Sequence, residues 1–152
     1  MTCSLVVNSK SGNTRMVSGA IKRTLQAAGV EFVHAAALSD DADADQVALE
    51  AQGACAADTV LVGFWCDKGA STPSVATLLS ALHGKRVFLF GTCGFGASEE
   101  YFRQIIDRVT SNLANDAELV GWAMCQGKMG PAVKQRYEAM LEQDPDNARA
   151  KL

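Results

Sequence analysis

The chain has little of what many specialised functions require. Only two histidines, His34 and His83, occur in 152 residues, and neither stands near a cysteine in sequence, so a structural zinc site has no evident ligand set. Positive charge is not in excess. The formal net charge is −3, which leaves no electrostatic footprint for nucleic acid. The N-terminal apolar run, Leu5-Val6-Val7, is too short for a signal peptide or a membrane span, and the expectation is a cytoplasmic protein without membrane attachment. The five cysteines are odd in number and include no C-x-x-C pair, which argues against a disulfide framework and suits a reducing compartment. No linker, repeat or low-complexity stretch divides the chain.

What is present is an ordinary globular composition, 48% apolar and 20% charged, long enough for one domain with a proper core. Apolar β-type runs alternate with helical patterns. Cys3 to Val7 reads as a strand, and Thr14 to Ala28 as a helix with Val17, Ala20, Ile21, Thr24, Leu25 and Ala28 on one face, ended by Gly29. Val30 to Ala35 is a less hydrophobic strand suited to a sheet edge. Ser39 to Asp45 reads as an acidic loop before a weak helix at Gln46 to Gln52. Thr59 to Trp65 is continuously apolar, as a strand covered on both faces should be. Thr72-Pro73 starts a helix bearing Val75, Leu78, Leu79 and Leu82. Arg86 to Gly91 is a second buried strand, and a helix with Phe102, Ile105, Ile106, Val109 and Leu113 follows. Glu118 to Gln126 is the last strand, with Trp122 inside it as a core residue. A final helix is expected from Pro131, presenting Val133, Tyr137, Met140 and Leu141. Residues 1–143 would form the domain and 144–152 a polar tail.

This alternation predicts an α/β fold of three layers: a five-stranded parallel sheet, order 2-1-3-4-5, with helices on both faces. Ligands of such sheets sit at the carboxyl ends of the strands where the order reverses. Three loops meet there: Ser9 to Thr14, Trp65 to Ser71, and Thr92 to Ser98.

The first of these, Ser9-Lys10-Ser11-Gly12-Asn13-Thr14, is suited to a phosphate. The first-turn N–H groups of the following helix lack intrahelical partners and carry the positive end of the helix dipole. Gly12 relieves the backbone, and the hydroxyls of Ser9, Ser11 and Thr14 can donate. A plain helix cap needs only one such group. Lys10 and Arg15 add charge or are simply solvated.

Other phosphate-handling folds each lack a required residue. A low-molecular-weight tyrosine phosphatase needs an arginine where Glu99 follows Cys93. A nucleoside triphosphatase needs a Gly-Lys-Ser/Thr ending, and none is present. Gly94-Phe95-Gly96 begins like a dinucleotide fingerprint but has Glu99 at the third glycine position. A receiver domain needs an acidic pair where this chain has Val7-Asn8. No histidine or carboxylate pair is placed for acid–base catalysis.

The loop resembles the flavodoxin phosphate signature, matched by Ser9, Ser11, Gly12, Asn13 and Thr14, and the whole chain looks like a short-chain flavodoxin-like domain. Val62 to Gly69, Leu89 to Thr92 and Cys125 to Lys128 are more similar to a branch of flavodoxin-family proteins from anaerobes, some of which accompany bilirubin reductase in gut bacteria. The resemblance implies an FMN-binding flavoprotein that passes electrons to or from a redox partner protein, as a monomer or weak dimer, with a redox-helper role. It implies a cofactor site made of Ser9, Lys10, Ser11, Gly12, Asn13 and Thr14 around the phosphate. Trp65, Cys66, Asp67, Lys68, Gly69, Thr92, Cys93, Gly94, Phe95 and Gly96 would lie around the ring. Flavodoxins are strongly acidic around the flavin, whereas this chain is mildly acidic and puts Lys68 in a cofactor loop.

Each ring residue has a second reading. Trp65 and Phe95 can stack on isoalloxazine or pack in the core, and Tyr101 can reach the flavin or lie on the helix surface. Flavodoxins turn over a peptide in the loop after the third strand so that a carbonyl can accept the hydrogen at flavin N5. Gly69 lowers the cost of that conformation, or it serves a turn that needs positive φ. Cys66, Cys93 and Cys125 stand at the ends of three neighbouring strands. They gather as redox or ligand-linking thiols, or each is a small buried hydrophobe, as Cys3 and Cys55 are. Two rival functions remain beside the electron carrier: an FMN-dependent reductase with its own small substrate, and a flavin-free partner subunit that has kept the fold.

Overall fold

The computed structural model describes residues 1–94 and 98–126. The expected final helix from Pro131, the polar tail, the stretch Gly127-Lys128 and the candidate ring residues Phe95 and Gly96 lie outside the described residues.

Strands β1 (Thr2–Val7), β2 (Glu31–Ala37), β3 (Thr59–Trp65), β4 (Arg86–Cys93) and β5 (Glu118–Gln126) alternate with helices α1 (Asn13–Ala27), α2 (Ala44–Ala54), α3 (Pro73–Ser80) and α4 (Glu99–Thr110). The strands form one sheet in the order β2-β1-β3-β4-β5, and every pairing is parallel. The expected architecture is therefore the observed one. Val30 to Ala35, read as an edge strand, is an edge.

Strand periodicity divides the core into two layers. Val60, Val62, Phe64, Val87 and Leu89 point to one face, where they meet Val47 and Ala51 of α2, Val75, Leu78 and Leu79 of α3, and Phe102, Ile105, Ile106 and Val109 of α4. Each fully buried Val, Leu, Ile or Phe contributes about 1.5–3 kcal/mol, so this layer holds most of the burial free energy. The opposite face carries a smaller cluster, Cys3, Leu5, Leu61 and Phe90, against Val17, Ile21 and Leu25 of α1. There the expected helix face narrows: Ala20, Thr24 and Ala28 are exposed, and Val17, Ile21 and Leu25 are half-buried. An apolar groove of about 370 Å³ runs beside α1, bordered by Ile21, Leu25, Leu61, Phe88 and Val120.

The central strands interlock through two reciprocal pairs. Gly63 is registered with Phe90, and Phe64 with Gly91. Each phenylalanine ring covers the glycine of its neighbour, on opposite faces of the sheet. A Cβ added at Gly91 would lie 2.6 Å from Phe64 Cζ and 2.7 Å from Met124 Sδ. The absence of a side chain at these two glycines is thus a packing requirement.

Several expected boundaries shift: β2 runs to Ala37 rather than Ala35, β4 includes Thr92 and Cys93 instead of ending at Gly91, and Leu82 and Leu113 fall beyond the ends of α3 and α4. Two further expectations also change. Helix α2 starts at Ala44 rather than Gln46, because Asp43 accepts from Gln46 N at 2.8 Å while Gln46 Oε1 accepts from Asp43 N at 2.9 Å. This capping box draws part of the expected acidic loop into the helix start. Trp122 is half-buried rather than fully enclosed: it packs against the larger core layer from the edge strand β5, with Arg103 5.9 Å from its ring centroid.

Candidate functional site

The carboxyl ends of β1, β3 and β4 converge where β1 has β2 on one side and β3 on the other. A buried asparagine organises this end of the sheet. Asn8 is 1% exposed. Its amide donates to Leu38 O at 2.9 Å and to Asp40 Oδ1 at 2.6 Å, and its Oδ1 accepts from Thr72 Oγ1 at 3.3 Å. Its backbone N–H donates to Gly63 O at 2.8 Å. One residue thus ties the exits of β1 and β2 to the loop that enters α3. Asp40 then accepts from Trp65 Nε1 at 3.0 Å, and Lys10 Nζ stands 4.9 Å from the centre of the Trp65 ring. Trp65 is held beside the Ser9–Thr14 loop rather than in the core.

The loop from Ser9 to Thr14 has its own internal order. Gly12, at φ +91°, precedes α1 in the left-handed region and makes no side-chain cap, a conformation that suits glycine. Ser9 Oγ accepts from Gly12 N at 3.1 Å and from Arg15 N at 3.4 Å. Its oxygen lies where an anion's oxygen would meet the first turn of the helix. Ser11 is exposed, and its Oγ accepts from Asn13 Nδ2 at 3.2 Å. Thr14 differs from the other members of the loop. It is 1% exposed, its hydroxyl donates to Phe64 O at 3.3 Å, and it shares a 2.8 Å bond with Thr92 Oγ1. Thr14 and Thr92 fasten the start of α1 to β3 and β4 from below, instead of presenting hydroxyls to the loop's open side.

The loop after β3 is a tight hairpin. Asp67 N donates to Ala70 O at 2.7 Å and Ala70 N to Asp67 O at 3.1 Å. Lys68 at φ +53° and Gly69 at φ +80° form its corner, the pair of positive φ values that defines a type I′ turn. The turn reading of Gly69 therefore describes this conformation. Its carbonyl accepts from Arg108 Nη1 of α4 at 3.2 Å, and a Cβ at Gly69 would come 2.5 Å from that nitrogen.

Beneath this hairpin, Cys66 and Cys93 line a cavity of about 340 Å³ with Lys68, Gly94, Tyr101 and Arg108. The neighbouring Cys93 thiol is the main influence that lowers the Cys66 pKa to about 7. Burial opposes the fall, the Gly69 backbone supports it, and the charges of Asp67 and Arg108 act against each other. Cys93 shifts upward, first through its Cys66 neighbour and then through burial. Burial also raises Tyr101, helped by the adjacent thiols. Of the three thiols at neighbouring strand ends, Cys66 and Cys93 share this cavity. Cys125, registered with Thr92 on β5, is exposed.

Asn8, Asp40 and Arg108 carry much of this geometry, yet none was a candidate cofactor ligand from sequence; Tyr101, read as a flavin contact or a helix-surface residue, lines the cavity. A signal existed for Asn8: a lone amide directly after the apolar run of β1, with nowhere to point except the strand exits. Arg108 lies a full helix beyond the loop it holds and left no local signature. Among the described residues, no group of three or more His, Cys, Asp or Glu side chains is placed to hold a metal, and no helix is long and apolar enough to cross a membrane.

The flavodoxin domain family model matches residues 4–151, and the chain belongs to this flavodoxin family. It is 34% identical over 159 residues to a flavodoxin-like domain-containing protein, BilS, of Clostridium symbiosum (strain WAL-14163), covering 100% of this chain and 82% of that protein. Among solved structures, a short-chain flavodoxin associated with a non-canonical PDU bacterial microcompartment aligns with TM-score 0.59 at 19% identity, covering 84% of this chain and 85% of that one. A flavoprotein in complex with FMN from Lactobacillus acidophilus NCFM aligns with TM-score 0.56 at 16% identity, covering 81% and 92%. At these identities the two structures speak for the fold.

Proposed function

We propose that the chain binds FMN at the β1–α1, β3–α3 and β4–α4 loops and passes electrons to or from a redox partner protein. The observation that carries this reading is the Ser9–Thr14 loop. It leads from the switch point of the sheet into a 15-residue helix, with Gly12 left-handed and open space where its side chain would be.

The residues fit the group. A phosphate at this loop would face the first turn of α1 and the positive end of its dipole. Ser9 and Ser11 would supply hydroxyls, and Lys10 a nearby charge. Thr14, already bonded to Phe64 O and Thr92, would act by fixing the helix start. Trp65, oriented by Asp40, would present an aromatic face, and the Lys68–Gly69 hairpin would border the ring. Thr92 and Gly94 would close the floor. When bound, FMN supplies the one- and two-electron chemistry; the protein binds it, orients it and limits solvent access.

Lys68 at the turn and the mild overall acidity support a partner surface less acidic than that of the usual flavodoxins. A redox-helper role accords with the branch that the sequence resembles, and a cytoplasmic setting with the free cysteines. Purified protein should carry or take up FMN and show no NAD(P)H oxidation on its own. Nicotinamide consumption with a small acceptor would replace the carrier reading with a reductase. Failure to take up FMN would replace it with a flavin-free subunit.

A further inference from the structure

Cys66 and Cys93 are adjacent across two neighbouring strands. Trp65 and Thr92 are register partners, and Cys66 N donates to Thr92 O at 2.8 Å, so the cysteines are the next pair along the ladder. Both pack on the α4 side of the sheet. Adjacent strands stand about 4.8 Å apart, within the Cα separation of about 4.4–6.8 Å that a disulfide spans. Both thiols open onto the same cavity, whose rim carries two cations, Lys68 and Arg108.

The two thiols are unequal. Cys93 is 5% exposed, and its burial beside Cys66 favours its protonated form. Cys66 is half-buried, and its thiolate is favoured by the neighbouring Cys93 thiol and by the Gly69 backbone. The groups facing it are Asp67 from its own loop, Cys93 from β4, and Tyr101 and Arg108 from α4. One thiol is thus nucleophilic near neutral pH while its neighbour is held in reserve, the division of labour that a two-cysteine exchange site uses.

We propose that Cys66 and Cys93 form a thiol–disulfide exchange site for a small disulfide bearing carboxylate groups. The Cys66 thiolate attacks one sulfur of the small disulfide. A mixed disulfide forms at Cys66, and the other half leaves as a thiolate that takes a proton from water. Cys93 then gives its proton to solvent and attacks the Cys66 sulfur. The Cys66–Cys93 disulfide forms and the second half leaves as a thiolate. The protein dithiol is oxidised by two electrons and the small disulfide is reduced to two thiols. Lys68 and Arg108 favour substrates whose carboxylates can reach the rim. The exchange uses no flavin and does not depend on the FMN reading.

The test is incubation of the purified protein with glutathione disulfide, followed by intact-mass analysis and peptide mapping under non-reducing conditions. Wild-type protein should lose two hydrogens, with Cys66 linked to Cys93. Cys93→Ser should stop at a glutathione mixed disulfide on Cys66, and Cys66→Ser should slow the reaction at least about tenfold. Wild-type mapping reads the linkage without any substitution. First modification at Cys125, a linkage that omits either Cys66 or Cys93, or exchange by Cys66→Ser at the wild-type rate would overturn the proposal.

Discussion

Replacing Asn8 with alanine tests whether one buried amide organises the carboxyl end of the sheet, where the candidate site lies. The substitution removes donation to Leu38 O and Asp40 Oδ1 and acceptance from Thr72 Oγ1. Two neutral bonds at about 1 kcal/mol each and one to a partly exposed carboxylate at about 1–1.5 kcal/mol give a loss of about 3 kcal/mol. At the usual scaling for a domain of this size, the melting temperature should fall by about 6–12 °C. Urea unfolding followed by far-ultraviolet circular dichroism should show a lower midpoint with an unchanged slope. Asp40→Ala should cost less, because Leu38 O and Thr72 keep their partner. The double mutant should reveal a coupling of about 1 kcal/mol between Asn8 and Asp40. A loss below about 1 kcal/mol for Asn8→Ala, or strict additivity with Asp40→Ala, would refute the hub.

Gly91→Ala should destabilise the domain by about 1–3 kcal/mol, because its Cβ collides with Phe64 and Met124; the same unfolding curves measure it. Thr14→Val should lower stability by about 1–2 kcal/mol through the lost bonds to Phe64 O and Thr92, and should weaken FMN binding less than Gly12→Ala does. Asp43→Ala should cost about 1 kcal/mol by opening the capping box of α2. Iodoacetamide alkylation of Cys66 should accelerate as pH rises through about 7, where its thiolate forms. Arg108 favours that thiolate, so Arg108→Ala should move the midpoint upward, and peptide mapping across a pH series reads both.

Much of the fold was legible because each strand and helix carries its own period. Thr59 to Trp65 reads as a doubly covered strand since both of its faces are buried, and α4 announces itself through Phe102, Ile105, Ile106 and Val109. The start of α2 was also written in the chain, as Asp43 and Gln46 three residues apart, but the acidic surroundings resemble a solvated loop. The Ser9–Thr14 loop stood out because its residues are contiguous. What sequence could not show is direction. Thr14 has the residue type of a phosphate donor, yet it is buried, because its position on the first turn faces Thr92 across the sheet. The Gly63–Phe90 and Phe64–Gly91 pairs depend on strand register, and the Arg108 contact to Gly69 joins residues 39 apart. Such contacts have no local pattern to read.

The proposed function stands on FMN being held by the Ser9–Thr14 loop and the loops beside it. Titration of flavin-free protein into a fixed FMN concentration, followed by flavin fluorescence, tests it most directly. Saturable quenching at one flavin per chain is expected, with weaker binding by Gly12→Ala at unchanged circular dichroism. That variant strains the left-handed turn by about 1 kcal/mol, while its methyl group meets nothing within 4 Å. Unquenched fluorescence with correctly folded wild-type protein would contradict the claim.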